Sequence, residues 1–343
     1  MLLLAAYAAA TWFPRPGLWL REINLFSSSI QPPQILLAAL LFSAGLCASP
    51  GAVQAMGSAR QRLIVMAVAA WLVPLTAALV AISLLWGVMG GPASVALGIV
   101  IVAAMPVANS SVGWATSMGG SVPLSIALLI VGTALSPLLT PLVIGAGAIC
   151  LGTAEHALTQ TPWSDGMGLF FLIWVLAPVL LGVFLARRLN SNVNARIVPV
   201  ARQLSFGILI VLNYLNGAPC LPALAQEPEL LLWPLLASTS LLICSFAIAQ
   251  LWPRMVTVET SETNLAQGHT AFQEVATATE TEAAERLSFV LSVVMRNTGA
   301  ALVFAGAALP EYVLVSLTII AYTMLQHCWV GFFLAPRTSG FPA

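Results

Sequence analysis

The chain has 343 residues, of which 59% are hydrophobic and 7% are charged, and its twelve basic residues balance its twelve acidic residues. A mean hydropathy of +0.97 excludes an ordinary soluble domain, and the balanced charge argues against nucleic acid as a partner. Apolar residues are spread along almost the whole length, which excludes a single membrane anchor. The sequence therefore predicts an all-α polytopic protein whose partner is the lipid bilayer.

Clusters of charged residues, proline and glycine divide the chain into about ten apolar spans. The first span is short for a membrane-crossing helix, ends at the breaker Pro14-Arg15-Pro16 and has no cationic segment before it. We therefore expect a short or tilted transmembrane helix there rather than a signal peptide. In chain order the predicted spans are 1–13, 34–49, 63–88, 93–118, 121–151, 168–187, 203–217, 230–252, 287–309 and 312–335.

Arginine placement predicts the orientation of these spans. Nine of the twelve arginines fall in the loops after the second, sixth and eighth spans or in the C-terminal tail. The positive-inside rule makes that side cytoplasmic, so we expect both termini in the cytoplasm and the protein in the cell (inner) membrane. Segment 255–285 is rich in Thr and Glu, and this composition predicts a flexible acidic loop on the same side.

Two of the spans are interrupted by polar patches, at 105–111 (MPVANSS) and at 295–299 (MRNTG). Each patch lies in the fourth span of a five-span half. Because five is odd, the second half enters the membrane from the opposite side, which predicts two inverted repeats at about 1–151 and 166–335. Interrupted helices at matching positions of inverted halves indicate a transport site near the bilayer midplane.

The patches supply the candidate site residues. Pro106 removes a backbone donor, and Gly299 weakens a helix, so both are candidate helix breakers. The alternative is that small and hydroxylated residues here pack one helix against another. His327, in the tenth span, either relays protons or is a packing histidine. The candidate substrate-binding or crossover residues are Asn109, Ser110, Ser111, Arg296, Asn297 and Thr298.

Arg296 lies near the middle of the apolar run 287–309, which is long enough to cross a bilayer. An ionised side chain at that depth costs several kcal/mol unless it faces a cavity, a ligand or a counter-charge. The nearest acidic residue in the sequence, Glu285, is eleven residues upstream, roughly 16 Å along a helix. An unpaired intramembrane cation predicts a functional site, and a purely structural role is the alternative.

Residues 105–141 resemble the bile acid:sodium symporters. The stretches 120–125 (GSVPLS) and 135–141 (LSPLLTP) are similar to that family's Gly-Asn-Val-Ala-Leu-Ser and Leu-Ser-Pro-Leu-Leu-Thr-Pro, and 294–302 (VMRNTGAAL) looks like its Gly-Met-Gln-Asn-Ser-Gly-Leu. The resemblance implies a panel domain and a core domain with two crossed discontinuous helices. It also implies a secondary transporter that moves a small organic anion by alternating access.

Family members hold two sodium ions with oxygen ligands beside the crossover, and the resemblance implies where those ligands fall here. Three positions keep an oxygen, at Ser111, Ser125 and Ser292, and these are the candidate residual ion ligands. Ser292 stands where the family has its Glu, and Arg296 stands where it has Gln. The remaining positions are apolar, so we expect no metal and no cofactor, with sodium doubtful. They fall on Ala69, Val112 and Leu129.

An arginine in place of a sodium ligand suggests that Arg296 is a built-in cation. The carbonyl ends of two half-helices carry negative partial charge toward a crossover, and a guanidinium has five donors and a charge that does not titrate. Transport would then not need sodium. Alternatively, Arg296 binds a substrate carboxylate or sulfonate directly. A different class of function is a membrane sensor or scaffold that retains the fold, and no motif at membrane depth indicates an enzyme.

Overall fold

A computed structural model of the protein describes residues 2–23, 30–47, 60–151, 166–189, 191–256 and 271–334, and these ranges are helical apart from short connections and one isolated bridge. The helices are α1 (Leu2–Trp12), α2 (Pro14–Glu22), α3 (Pro32–Cys47), α4 (Arg60–Met89), α5 (Ala93–Ala104), α6 (Asn109–Met118), α7 (Val122–Cys150), α8 (Met167–Arg188), α9 (Ser191–Gly217), α10 (Leu221–Gln226), α11 (Leu232–Val256), α12 (Ala271–Val294), α13 (Thr298–Ala308) and α14 (Val313–Trp329).

Six helices in the described part of the chain are long and apolar enough to cross a membrane, and four shorter apolar helices accompany them. Large apolar side chains point outward along these helices, with Leu79 66% exposed and Leu138 64% exposed. An apolar outer surface suits lipid, because a bilayer exerts no hydrophobic penalty on it. The prediction of a polytopic helical membrane protein is confirmed, while the arrangement as ten helices in two inverted repeats stays a prediction.

The helices pack in two groups. In the first, which we call the α3 group, α3 packs on α8 and α9, and α1 and α2 pack on α9. Two glycines bring α3 and α8 into backbone contact: a Cβ on Gly45 would lie 2.2 Å from the Val179 carbonyl oxygen, and a Cβ on Gly182 would lie 2.2 Å from that of Phe42. Small residues at such a contact are typical of helices that associate in lipid.

In the second group, which we call the crossover group, α4 to α7 pack with α11 to α14. Helix α5 lies at its centre, since every residue from Val95 to Ala104 is buried. A helix that is hydrophobic on all sides is surrounded either by protein or by lipid, and the burial of these residues shows that α5 is surrounded by protein. The end of α12 is similarly enclosed, with residues 288–294 all buried. The two interrupted spans of the sequence therefore lie side by side in the interior.

The two groups meet at one end of the protein, where α2 lies beside the C-terminal ends of α9 and α13. We call this the α2 end. The turn between α6 and α7 lies at the opposite end, the α6 end, where the backbone N–H of Ser121 donates to the Ala284 carbonyl of α12 at 3.1 Å.

One local prediction was wrong. Helix α12 begins at Ala271, so residues 271–285 are helical rather than a flexible loop; they contain no Pro or Gly, and Ala and Glu are strong helix formers. The first helix does end beside Pro14-Arg15-Pro16, at Trp12, and Pro14 then begins a second helix, α2, because proline is tolerated in the first turn of a helix. Residues 257–270, the rest of the acidic segment, and the C-terminal tail from 335 lie outside the described residues.

Candidate functional site at the helix crossover

Two helix breaks form the centre of the crossover group. The first separates α5 from α6, and the second separates α12 from α13. Pro106 lies in the first break, and Met105 before it is extended, with φ −74° and ψ 150°, as expected for a residue that precedes proline. Gly299 lies in the first turn of α13 rather than in the second break.

The two breaks cross and hydrogen-bond to each other. The Ala108 N–H donates to the Met295 carbonyl at 2.9 Å, and the Asn297 N–H donates to the Pro106 carbonyl at 2.9 Å. Val107 and Arg296 face each other between these bonds as an antiparallel bridge. Each break thereby satisfies backbone groups that the other leaves free, as a site at membrane depth requires.

The Arg296 side chain is 1% exposed and ends among backbone carbonyls. Its Nη2 donates to the carbonyl oxygens of Ala103, at 3.2 Å, and Met105. Both carbonyls lie at the C-terminal end of α5, where the last carbonyls of a helix lack intrahelical donors and carry negative partial charge. The guanidinium also lies over the Trp71 ring, with 5.6 Å from Cζ to the centroid.

A third carbonyl comes from α4. Arg296 Nη1 donates to the Ala70 oxygen at 3.0 Å. Pro74, four residues later in α4, has no N–H and leaves that oxygen without its helical donor. The guanidinium therefore joins α4 and α5 to the second break, and its hydrogen-bond acceptors among the described residues are carbonyls rather than carboxylates.

Gln326 in α14 holds the backbone of Arg296. Its side-chain oxygen accepts from the Arg296 N–H at 3.0 Å, and its Nε2 lies 3.4 Å from both the Arg296 carbonyl oxygen and Thr298 Oγ1. Gln326 is 1% exposed. The sequence analysis pointed to its neighbour His327, yet a buried amide in an apolar span was the stronger signal, because such a group needs partners.

Two hydroxyl groups donate to the last carbonyls of α5 and α12 at the crossover. The sequence analysis predicted a role for neither of them. Thr140 Oγ1 donates to the Ala104 carbonyl at 2.8 Å. The Tyr322 hydroxyl donates to the Val294 carbonyl at 2.8 Å. Both come from helices that are distant in sequence, and no local pattern identifies them.

The N-terminal ends of α6 and α13 also lie at the crossover. The Asn297 side chain caps α13 by accepting from the Ala300 N–H at 3.1 Å. Asn109 and Ser110 are half-buried in the first turn of α6, and Asn109 Oδ1 is buried without a hydrogen-bond partner in the described part of the structure. The positive ends of two helices and these half-buried polar groups thus lie together on this side of the crossover.

The Sodium Bile acid symporter family has a sequence model that matches residues 34–218 of this chain. That is 185 of 343 residues, and the match covers the first break. The chain belongs to the sodium bile acid symporter family. The resemblance seen in the sequence is confirmed, and because the family is one of symporters, membership indicates transport rather than catalysis. No curated protein matches the chain.

In this symporter-family chain the three candidate ion ligands are completely buried. Ser111 Oγ donates to the Ala108 carbonyl and Ser292 Oγ to the Ser288 carbonyl, each at 2.8 Å. Ser125 Oγ has no hydrogen-bond partner in the described ranges. Each of the first two hydroxyls thus serves its own helix, and no hydrogen bond in these ranges links the three serines.

His327 lies in α14 and is half-buried. The hydrogen bonds from this part of α14 to the second break come from Gln326. A proton-relay role for His327 stays a prediction, as do the substrate roles of Asn109, Ser110, Ser111, Asn297 and Thr298.

Proposed function

We propose that this protein is a secondary transporter that moves a small organic anion by alternating access, with Arg296 in place of a bound sodium ion. The observation that supports the proposal is the burial of the Arg296 guanidinium against the carbonyls of Ala70, Ala103 and Met105. Carbonyl oxygens are hard ligands of the kind that bind alkali cations. Here the permanently charged guanidinium of Arg296 donates hydrogen bonds to three of them.

Sodium fits the remaining residues poorly. A sodium ion needs several oxygen ligands, and among the positions that the resemblance assigns to sodium only Ser111, Ser125 and Ser292 carry a side-chain oxygen. Arg296 occupies one more of these positions, and the remaining ones, Ala69, Val112 and Leu129, are apolar. A second positive charge next to the Arg296 guanidinium would also be repelled strongly in a medium of low dielectric constant. We therefore expect no sodium requirement.

We propose that the buried guanidinium does not contact the substrate. At 1% exposure, with both Nη atoms bonded to carbonyls, Arg296 acts on the substrate through its charge rather than by contact. We assign the contact to the first turns of α6 and α13, where Asn109, Ser110 and Gly299 are half-buried. Helix N-termini of discontinuous helices are the usual place for an anionic substrate group in such folds.

We further propose that the ten predicted spans form two inverted repeats, and that the α3 group and the crossover group correspond to panel and core. The two helix breaks occupy equivalent positions in the two halves, which supports this reading. Movement of one group against the other would expose the first turns of α6 and α13 to one side of the membrane at a time.

Flux into proteoliposomes tests the proposal. The substrate is first sought by measuring the thermal unfolding of the purified protein with a panel of carboxylates and sulfonates, with and without sodium. A labelled anion that stabilises the protein is then followed in sodium buffer and in N-methylglucamine buffer. We expect equal rates in both. Flux that strictly requires sodium would refute the built-in cation, and absence of flux for every stabilising anion would favour the sensor or scaffold.

A further inference from the structure

Helix α2 is hydrogen-bonded to α9 and so belongs to the α3 group. The Tyr214 hydroxyl of α9 donates to the Phe13 carbonyl at 2.7 Å and accepts from the Gly17 N–H at 3.1 Å. A Cβ on Gly17 would lie 2.8 Å from the Ala218 Cβ, so the two backbones are in close contact. Any movement of α9 therefore carries α2 with it.

Arg21, in the last turn of α2, reaches from the α3 group to the crossover group. Its Nη1 donates to Asn216 Oδ1 at 3.1 Å and to the Leu215 carbonyl at 3.4 Å, both in α9. Its Nη2 donates to the Gly306 carbonyl of α13 at 3.3 Å. These acceptors lie at the C-terminal ends of two helices, where negative partial charge favours a cation.

The absence of a side chain at Gly306 allows the Arg21 guanidinium to reach the carbonyl of α13. A Cβ at position 306 would lie 2.6 Å from Arg21 Nη2, so a side chain there would push the guanidinium away. Glycine inside a helix is otherwise unfavourable relative to alanine. Glycine at this position therefore leaves the space that the guanidinium occupies.

The two groups are closed against each other on this side of the crossover. Leu212 and Leu215 of α9 are 0% and 1% exposed. The Phe304 ring of α13 lies 5.7 Å from the rings of Phe170 and Phe171 in α8, measured between centroids. The α2 end is thus sealed by packed aromatic and aliphatic side chains, with Arg21 at its rim.

Toward the α6 end the described residues of α9 are much less enclosed. In α9, residues 202–204, 206 and 207 are all exposed, and these positions point in several directions around the helix. Thr116 and Ser117 of α6 are exposed as well. Because the packed contacts between the two groups lie at the α2 end and these residues are exposed, we infer that the structure is closed at the α2 end and open at the α6 end.

We propose that Arg21 is a gating residue that holds the α2 end closed. This inference rests on the alternating access proposed above. Two of its acceptors move with it, because they belong to α9, while the Gly306 carbonyl belongs to the other group. Opening of the α2 end therefore breaks the bond from Arg21 to Gly306 and leaves the other two intact. A single charge-assisted bond to a neutral carbonyl biases the equilibrium without locking it.

Distances between spin labels test this role without a substrate. One pair spans the α2 end, with labels at Glu311 and at Ala225 in α10, which packs on α1. A second pair, at Ser117 and Gln203, spans the α6 end, and all four residues are exposed. The labels are placed in a background without the five native cysteines, in nanodiscs. For Arg21→Gln we expect the open-to-closed ratio at the first pair to rise about tenfold, equivalent to ~1.4 kcal/mol, and the second pair to shorten.

Arg15→Gln is the matched control, because Arg15 carries the same charge on the same helix and is exposed. An unchanged first pair in Arg21→Gln, or an equal change in Arg15→Gln, would overturn the gating role. Gly306→Ala keeps the guanidinium but displaces it, and it should lengthen the first pair even if Arg21→Gln folds poorly. If the first pair lengthens while the second does not shorten, Arg21 still holds the α2 end, and it is the alternating access that fails.

Discussion

The guanidinium of Arg296 supplies the hydrogen bond that Pro74 withholds from α4. Pro74 leaves the Ala70 carbonyl without a donor, and Arg296 Nη1 binds that oxygen at 3.0 Å. Together with the bonds to Ala103 and Met105, this places a fixed positive charge where three freed carbonyls converge. The arrangement explains how a chain with no acidic partner for Arg296 in its described part tolerates a cation in the membrane.

Arg296→Gln should abolish sodium-independent transport and lower stability. The variant leaves two or three buried carbonyls without donors, each worth ~1–3 kcal/mol, so the thermal unfolding temperature should fall markedly. Flux in proteoliposomes and thermal unfolding are measured on the same preparation. Arg187→Gln, an exposed arginine at the end of α8, is the charge-matched control. Wild-type flux in Arg296→Gln would show that the residue has no part in transport.

Pro74→Ala should impair transport although it removes a helix breaker. The new N–H at position 74 competes with Arg296 for the Ala70 carbonyl, which weakens the link between α4 and the crossover. Flux should therefore fall, and the effects of Pro74→Ala and Arg296→Gln on stability should be non-additive by ~0.5–3 kcal/mol in a double-mutant cycle. Additive effects would mean that the two residues are independent.

Gln326→Leu should reduce both stability and flux, because it removes the acceptor for the Arg296 N–H and the donor to the Arg296 carbonyl. A loss of ~1–3 kcal/mol is expected for a buried group left unsatisfied. His327→Leu, on the next residue of the same helix, is the comparison and should retain most of the flux. Loss of flux only in His327→Leu would point instead to a proton relay.

Sodium should not stabilise the protein. If Arg296 takes the place of sodium as proposed, sodium has no site that is specific to the folded state, and the thermal unfolding temperature should be the same in sodium and potassium buffers at equal ionic strength. A variant with Ser111→Ala, Ser125→Ala and Ser292→Ala should be equally indifferent to sodium. A sodium-specific rise in the wild-type protein that disappears in the triple variant would establish a residual ion site.

The apolar helices and the positions of their breaks were largely predictable from local sequence patterns. Pro106 indicated the break between α5 and α6 only together with the polar residues Asn109, Ser110 and Ser111 that follow it, since prolines elsewhere lie inside continuous helices, as Pro74 does in α4. Composition was a poorer guide in residues 271–285. Their Thr- and Glu-rich sequence suggested a solvated loop, yet they contain no Gly or Pro and form the first part of α12. A high content of charged residues shows that a segment is solvated, but it does not show whether the segment is helical.

Local sequence features were sufficient for the class of protein, the positions of the two breaks and the anomaly of Arg296, because hydropathy, proline and unpaired charge are properties of single residues and their neighbours. The role of Arg296 depends on packing instead. Its acceptors, Ala70 and Ala103, and its backbone partner Gln326 lie on three other helices. Periodicity along one helix carries no information about which carbonyl a neighbouring helix leaves free, so the contacts on which the proposal of a built-in cation rests are visible only in the fold.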